Sequence, residues 1–164
     1  MVTLAVTGHM DLTEASVPLV RAALREVLGP YRGDLTGVSC IAAGADSLFA
    51  QEVRALGGRL VAVIPSGDHR ENKVKPDHAP VFDLLVREAA EAVVMPHETA
   101  NRAAYESANA KLLKRADRLA AVWNGEPPSS KGGGTADVVI EAREAGLPVD
   151  VVWPNDATRR GPQP

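Results

Sequence analysis

The sequence predicts an α/β fold: a single domain of three layers in which a mostly parallel sheet of about six strands is flanked by helices. Short apolar runs alternate along the chain with longer amphipathic stretches, an order typical of strands and helices in α/β proteins. The apolar runs are continuous, without regular polar positions, which indicates strands buried on both faces of a sheet. We therefore expect right-handed crossovers that carry helices to both faces.

The predicted strands are short runs rich in valine, leucine, isoleucine and alanine. Pro65 and Pro96 directly follow the third and fourth runs and end them, because proline has no N–H group to donate to a neighbouring strand. The predicted strands comprise residues 4–7, 38–42, 60–64, 92–95, 119–123 and 149–153.

Capping residues and glycines predict where the helices begin and end. Thr13, Asp46 and Thr99 precede amphipathic stretches and are predicted to cap them, while Gly29 and Gly57 follow such stretches. A polar loop is expected over residues 66–78. The predicted helices run from Thr13 to residue 28, over 47–56 and 79–91, from Thr99 to residue 116, and over 135–145.

Length and composition predict one globular domain over residues 1–153, followed by a disordered tail over residues 154–164. The chain has 164 residues, of which 45% are hydrophobic and 24% charged, as is ordinary for a protein with a sizeable core. The net charge of -3 offers no basic surplus for binding along a phosphate backbone, so a nucleic-acid partner is not expected. A single small anion can still bind, because backbone amides hold it without net charge.

Neither a membrane partner nor a disulfide framework is predicted. No apolar run approaches the roughly 18 residues of a membrane-spanning helix, and residues 1–4 lack the pattern of a leader peptide. Cys40 is the single cysteine and lies within an apolar run, where it is expected to be a small core residue. These observations favour a cytoplasmic protein.

Ligands of open α/β sheets bind beyond the carboxyl ends of the strands, at the point where the strand order reverses. This rule selects the residues directly after the predicted strands, and many of them are glycines or turn-forming residues. Glycine at such positions lets backbone N–H groups approach a ligand closely. The candidate ligand-binding residues are Gly8, His9, Gly44, Asp46, Ser66, Asn124, Gly125, Gly132, Gly133, Gly134 and Thr135.

Two of these candidates have structural explanations as well as functional ones. His9 is expected either to hydrogen-bond a ligand or to brace the turn after the first strand together with Asp11. Asp46 is expected either to hold a ribose hydroxyl or only to cap the second helix.

The common phosphate-binding and catalytic signatures are missing from the sequence. It contains neither GxGxxG nor GxxxxGK[ST], so a dinucleotide fingerprint and a P-loop are not predicted. It also lacks GxSxG, the usual serine-hydrolase pattern of this fold class. The histidines show no zinc-binding spacing, and we predict no metal and no cofactor.

The glycine run 132–134 lies directly before Thr135 and a helical pattern. The first N–H groups of a helix are unpaired and lie at the positive end of its dipole, so a glycine turn ahead of them can hold an anion. The alternative is a loose loop in which Thr135 is a plain N-cap. These residues alone leave both explanations open.

A set of motifs, taken in this order and at these spacings, resembles the SLOG superfamily of Rossmann-like proteins. This group contains the LOG phosphoribohydrolases, once mislabelled lysine decarboxylases, and the DNA-processing protein DprA. The resemblance extends over about residues 2–153. Its motifs in this chain are VTGH at 6–9, AGADSLFA at 43–50, ADRLAAVWNG at 116–125, GGGTA at 132–136 and AGLPV at 145–149.

The resemblance implies a nucleotide or nucleotide-derived ligand whose phosphate lies on residues 132–135. LOG enzymes resemble one another in a PGGxGTxxE motif whose glutamate serves hydrolysis of the N-glycosidic bond. In this chain Val138 stands at that position, and the nearest carboxylates are Asp137 and Glu141. These two are the candidate catalytic residues if the protein cleaves nucleoside 5′-monophosphates to base and ribose 5-phosphate.

Met10 stands where related sequences often carry an arginine, so Arg70 or Arg102 is a candidate to replace it. Arg102, Tyr105 and Asn109 share one face of the helix predicted after the fourth strand. That face is expected to contact a base or sugar, to meet the partner subunit of a homodimer, or to face solvent. The sequence therefore supports three functions: nucleotide binding, nucleotide hydrolysis, and an oligomeric scaffold without a small ligand.

Overall fold

The structure is a computed structural model that describes residues 1–128 and 134–160. In this part of the chain the strands form one sheet in the order β4-β3-β2-β1-β5-β6, and every neighbouring pair is parallel. The predicted α/β fold class is thereby confirmed. The strands are β1 (Val2–Gly8), β2 (Leu35–Ser39), β3 (Arg59–Ile64), β4 (Glu91–Val94), β5 (Arg118–Val122) and β6 (Val149–Val151).

Helices cover both faces of the sheet and form the outer two of three layers. α1, α2 and α4 pack on one face, where Leu4, Val20 and Phe49 are completely buried. α5 and α6 pack on the other face, against Ala5 and Leu119. The helices are α1 (Ser16–Leu28), α2 (Ala45–Ala55), α3 (His69–Asn72), α4 (Ala79–Glu88), α5 (Arg102–Arg115) and α6 (Thr135–Glu144).

The order of the strands reverses at β1. The chain runs outward from β1 through β2 and β3 to β4, then returns to place β5 on the opposite side of β1. The last residue of β1, Gly8, pairs with Val122 at the end of β5, so the two strands end at the same level. Their carboxyl ends therefore mark the position where this type of sheet binds ligands.

The helices begin at residues other than the predicted caps. Thr13 bonds the Ser16 hydroxyl at 2.7 Å but lies outside α1, and Asp46 lies within the first turn of α2. The residues that precede α1, α2, α5 and α6 are Ala15, Gly44, Asn101 and Gly134. The predictions of Thr13, Asp46 and Thr99 as caps are therefore wrong, and so is the alternative in which Thr135 is a plain N-cap. Ala15, Gly44 and Gly134 have no side-chain oxygen that could cap a helix, whereas the side chain of Asn101 accepts a hydrogen bond from the Ala104 N–H at 2.9 Å.

Several boundaries also differ from the sequence prediction. β2 begins at Leu35 and not at residue 38, because Thr36 and Gly37 are buried in the sheet although they interrupt the apolar pattern. The polar loop predicted over 66–78 contains the single helical turn α3. The helix predicted over 79–91 ends at Glu88, and Glu91 already belongs to β4.

The prediction of a disordered tail from residue 154 onward is wrong for residues 154–160. Arg160 donates its backbone N–H to the carbonyl of Asp11 at 2.7 Å, and Thr158 donates to the Ser16 hydroxyl at 2.7 Å. Ala157 is buried. This segment, which we call the C-terminal strap (residues 154–160), packs across the loop after β1 and the start of α1.

None of the helices in residues 1–128 and 134–160 combines the length and the apolar composition needed to cross a bilayer.

Candidate functional site

A cavity of about 520 Å³ lies at the carboxyl edge of the sheet, beyond the ends of β1 and β5. Its walls come from the loops after β1, β2, β3 and β5, the first turn of α2, α3, the middle of α5, the start of α6 and the C-terminal strap. Among the predicted site residues, those that line it are Gly8, His9, Asp46, Asn109, Gly134, Thr135 and Asp137. Separate stretches of the sequence thus meet where the strand order reverses.

His9 braces the two strands at this edge. Its Nε2 atom lies 3.2 Å from the backbone nitrogen of Asn124, which donates to it, and 3.1 Å from the Asn124 Oδ1 atom. The ring also meets Trp153 edge-on, at 5.6 Å between ring centroids. Burial and the nearby Arg159 lower the pKa of His9, which favours the neutral form of the ring. Asn124 therefore reaches the site through His9, without lining the cavity itself.

Gly8 and Gly44 let the start of α2 approach the end of β1. A Cβ atom on Gly8 would collide with the Cβ of Ala45. Gly44 has φ +79°, and a Cβ there would lie 2.7 Å from the His9 carbonyl oxygen. The Ala45 N–H donates a hydrogen bond to the same carbonyl at 3.2 Å, which fixes the start of α2 against the residue after β1. Gly44 thus does not line the cavity itself, but it allows the close packing of the residues that do.

Asp46 lines the cavity from the first turn of α2 and is 9% exposed. Burial raises its pKa to about 7, although a hydrogen bond from the Ala42 backbone acts in the opposite direction. Burial, together with the charge of Asp46, also raises the pKa of the neighbouring Cys40 thiol. The cavity therefore contains a carboxyl group that exchanges a proton near neutral pH.

The start of α6 forms another wall. The Gly134 N–H donates to Oδ2 of Asp137 at 3.1 Å, so a carboxylate already neutralises part of the positive end of this helix. Gly132 and Gly133 lie outside the described residues. Glu141 does not reach the main cavity; it lines a smaller one of about 220 Å³ together with Arg102 and Asn109.

The remaining predicted residues lie away from the main cavity. Ser66 donates a hydrogen bond to Asp68 at 2.7 Å. Arg70 makes two hydrogen bonds to the carboxylate of Asp83, at 2.7 and 2.9 Å. Arg102 pairs with Glu106 at 2.8 Å on the surface of α5. Gly125, with φ +87°, turns the chain after β5.

Sequence reasoning missed several cavity residues. Arg159 reaches the cavity from the C-terminal strap, and its partner Asp11 follows β1. His69, in α3, is 8% exposed, and its Nδ1 atom has no hydrogen-bond partner among the described residues. Next to it, at 6.0 Å between ring centroids, lies Tyr105, which the sequence predicted on the contact face of α5. Nothing in the local sequence around Arg159 indicates that it returns to this edge of the sheet.

Fold and cavity together define an α/β domain of Rossmann-like type with a ligand-sized cavity at the reversal of strand order. Comparisons by sequence find no match among protein-family models and none among curated proteins. Comparisons by structure find several solved proteins with the same fold.

DNA processing protein A from Streptococcus pneumoniae superposes with a TM-score of 0.65 and 17% identity, over 91% of this chain and 49% of that one. The protein TM1055 matches with a TM-score of 0.57 and 21% identity, over 91% of this chain and 72% of that one. The molybdenum cofactor binding protein of Rippkaea orientalis matches with a TM-score of 0.58 and 14% identity, over 94% and 77%. This chain thus spans about half the length of the first of them.

These likenesses confirm the fold that the SLOG resemblance implied, since DNA processing protein A is a member of that group. At such low identity they establish the fold alone. The ligand has to be inferred from the residues of the cavity.

Proposed function

We propose that this protein binds a nucleotide or a nucleotide-derived phosphate ligand in the cavity beyond β1 and β5. The observation that carries the proposal is the cavity itself, about 520 Å³ in volume and open where the strand order reverses. This volume falls within the roughly 300–1,000 Å³ of small-molecule sites. The position is the one at which open α/β sheets bind their ligands.

The start of α6 is the proposed phosphate subsite. The first N–H groups of a helix have no partner within it, and they lie at the positive end of the helix dipole. Asp137 takes the N–H of Gly134, which leaves the hydroxyl of Thr135 and the N–H groups that follow it for a ligand. We further propose that Gly132 and Gly133 supply additional N–H groups from the preceding turn.

Asp46 from α2, and Tyr105 and Asn109 from α5, are the proposed contacts for the sugar and base. All three residues line the cavity. Their oxygen and nitrogen atoms match ribose hydroxyls and the polar edge of a base. Because its pKa is about 7, Asp46 can act there as donor or acceptor.

Calorimetric titration with AMP, GMP, CMP and UMP tests this proposal. We expect binding at one site per chain by at least one of the four. Filling the cavity with Asn109→Trp should abolish it, whereas Ala110→Trp, on the exposed face of the same helix, should not. Binding that survives Asn109→Trp, or no binding of any of the four, would contradict the proposal.

A second function, hydrolysis of the N-glycosidic bond, is favoured by one observation. Asp46, with a pKa of about 7, and Asp137 line the same cavity. A carboxyl group that titrates near neutral pH is suited to general acid–base catalysis, and a second carboxylate can stabilise positive charge on the sugar. Release of free base from the four nucleotides, lost in both Asp46→Asn and Asp137→Asn, would establish hydrolysis; binding without release would limit the protein to binding.

The same experiments can also favour two other functions, namely binding of nucleic acid or an oligomeric scaffold. Asp11, Glu126 and Asp137 line the cavity, and such carboxylates disfavour a long phosphate backbone. Tighter binding of an oligothymidylate than of UMP would overturn that argument. If no ligand binds and the chain sediments as a dimer that Arg102→Glu disrupts, the α5 face would instead be a subunit interface.

A further inference from the structure

We propose that Arg159 is the residue that recognises the anionic group of the ligand, and that Asp11 holds its guanidinium group in the absence of ligand. This inference rests on the proposed function and assigns it a residue from the C-terminal strap. Arg159 lines the cavity, yet it is separated from every other cavity residue by more than twenty positions in the sequence.

The backbone of Arg159 is anchored on both sides. Leu12 and Arg159 form an antiparallel bridge. Before it, the Thr13 N–H donates to the Thr158 carbonyl at 3.1 Å, and after it the Arg160 N–H donates to the Asp11 carbonyl at 2.7 Å. A side chain that starts from a fixed backbone loses less freedom when it binds a ligand.

The side chain of Arg159 is paired differently from the structural arginines. Arg70, Arg115 and Arg118 each make two hydrogen bonds to one carboxylate, all of 3.1 Å or less. Within residues 1–128 and 134–160, Arg159 donates one hydrogen bond, from Nε to Oδ1 of Asp11 at 2.8 Å. Its Nη1 lies 3.5 Å from Glu126 Oε2, a weaker contact. The two-nitrogen edge of the guanidinium, which matches a phosphate group, is thus only loosely engaged.

Charge assigns Arg159 the same role. Among the described residues that line the cavity, it alone carries a permanent positive charge. His9 and His69 also line the cavity, but burial lowers the pKa of both. The carboxylates of Asp11, Glu126 and Asp137 would repel an anion in the absence of this arginine. A half-exposed ion pair such as Asp11–Arg159 is weak, so a phosphate group can displace it.

The inference predicts which part of a nucleotide Arg159 recognises. The experiment measures dissociation constants of AMP, GMP, CMP and UMP, and of the four nucleosides without phosphate, by calorimetry. We expect Arg159→Gln to weaken the nucleotides roughly 10- to 100-fold and to leave the nucleosides unchanged. Arg160→Gln removes the same charge from the neighbouring exposed residue and should change neither.

Asp11→Asn provides a test of the opposite sign. It releases Arg159 and removes a negative charge, so it should tighten binding of the nucleotides severalfold without affecting the nucleosides. Arg159→Lys keeps the charge but not the two-nitrogen edge, and it should weaken the nucleotides by an intermediate factor. This variant also carries the test if Arg159→Gln fails to fold.

The outcomes separate this inference from the proposed function. If the unmodified protein binds nucleotides but Arg159→Gln weakens nucleotides and nucleosides equally, Arg159 is structural, and the inference fails alone. Weaker nucleotide binding by Asp11→Asn would likewise overturn the role of Asp11. If the unmodified protein binds no nucleotide, both proposals fail.

Discussion

The two ends of helix α2 each carry a buried carboxyl group, yet their surroundings differ. Glu52, near the C-terminal end, is 2% exposed and receives hydrogen bonds from Arg21 and Arg25 of α1. Burial opposes its ionisation, but these bonds outweigh that effect and lower its pKa. Asp46, near the N-terminal end, has no such cation among the residues that the structure describes, and burial raises its pKa to about 7. Partners, and not burial alone, set the charge of each group.

The two ends of α2 therefore differ in role: one joins two helices, and the other lies at the candidate site. At the Glu52 end, ion pairs from Glu52 to Arg21 and Arg25 join α2 to α1. The end with Asp46 faces the cavity, and within residues 1–128 and 134–160 this buried carboxyl group forms no ion pair. Such a departure from the usual pairing of buried charges is typical of functional sites.

Among variants that test this comparison, Asp46→Asn is expected to change the free energy of unfolding most. The raised folded-state pKa means that protonated Asp46 contributes stability that is complete below its unfolded pKa and lost as pH rises through about 7. The variant should therefore match the unmodified protein near pH 4 and exceed its unfolding free energy by up to about 4 kcal/mol at pH 8. Urea denaturation at both pH values measures this; equal stabilities at pH 8 would contradict the account.

A smaller but still large effect is expected for Gly44→Ala. The positive φ of Gly44 and the closeness of the His9 carbonyl should together destabilise the protein by about 3 kcal/mol. The control is Gly57→Ala at the other end of α2, where φ is +74° but a Cβ has open space, so about 1 kcal/mol is expected. Thermal denaturation compares them, and equal losses would show that α2 does not press against β1 as described.

Glu52→Gln should destabilise the protein by about 2 kcal/mol at pH 7, because it removes charge-assisted hydrogen bonds to Arg21 and Arg25. With its pKa lowered, ionised Glu52 contributes stability above its unfolded pKa, and this contribution is lost as pH falls through the folded value. The difference should therefore shrink in acid. Glu88→Gln, in an exposed pair with Arg54, should change stability by less than about 0.5 kcal/mol. A loss of stability as small as this in Glu52→Gln would contradict the described difference between the two ends of α2.

The sequence predicted the sheet and much of the cavity because both follow from local patterns. Apolar runs located the strands, and the rule for carboxyl ends brought Gly8, His9 and Asp46 to one edge. The C-terminal strap could not be predicted, because the bridge between Leu12 and Arg159 joins distant parts of the chain. The arginines proposed in its place, Arg70 and Arg102, pair with surface carboxylates.

The charge state of Asp46 could not be predicted from the sequence either. It depends on how closely α2 approaches β1, which the sequence signals only through Gly44. The role of Gly132 and Gly133 stays a prediction, since they lie outside the described residues.

A crystal structure obtained with saturating nucleoside 5′-monophosphate tests the central claim most directly. We predict density for the nucleotide in the cavity beyond β1 and β5, with its phosphate against Thr135 and the guanidinium of Arg159 moved from Asp11 to the phosphate oxygens. Nucleotide density elsewhere on the protein, with this cavity empty, would contradict the account.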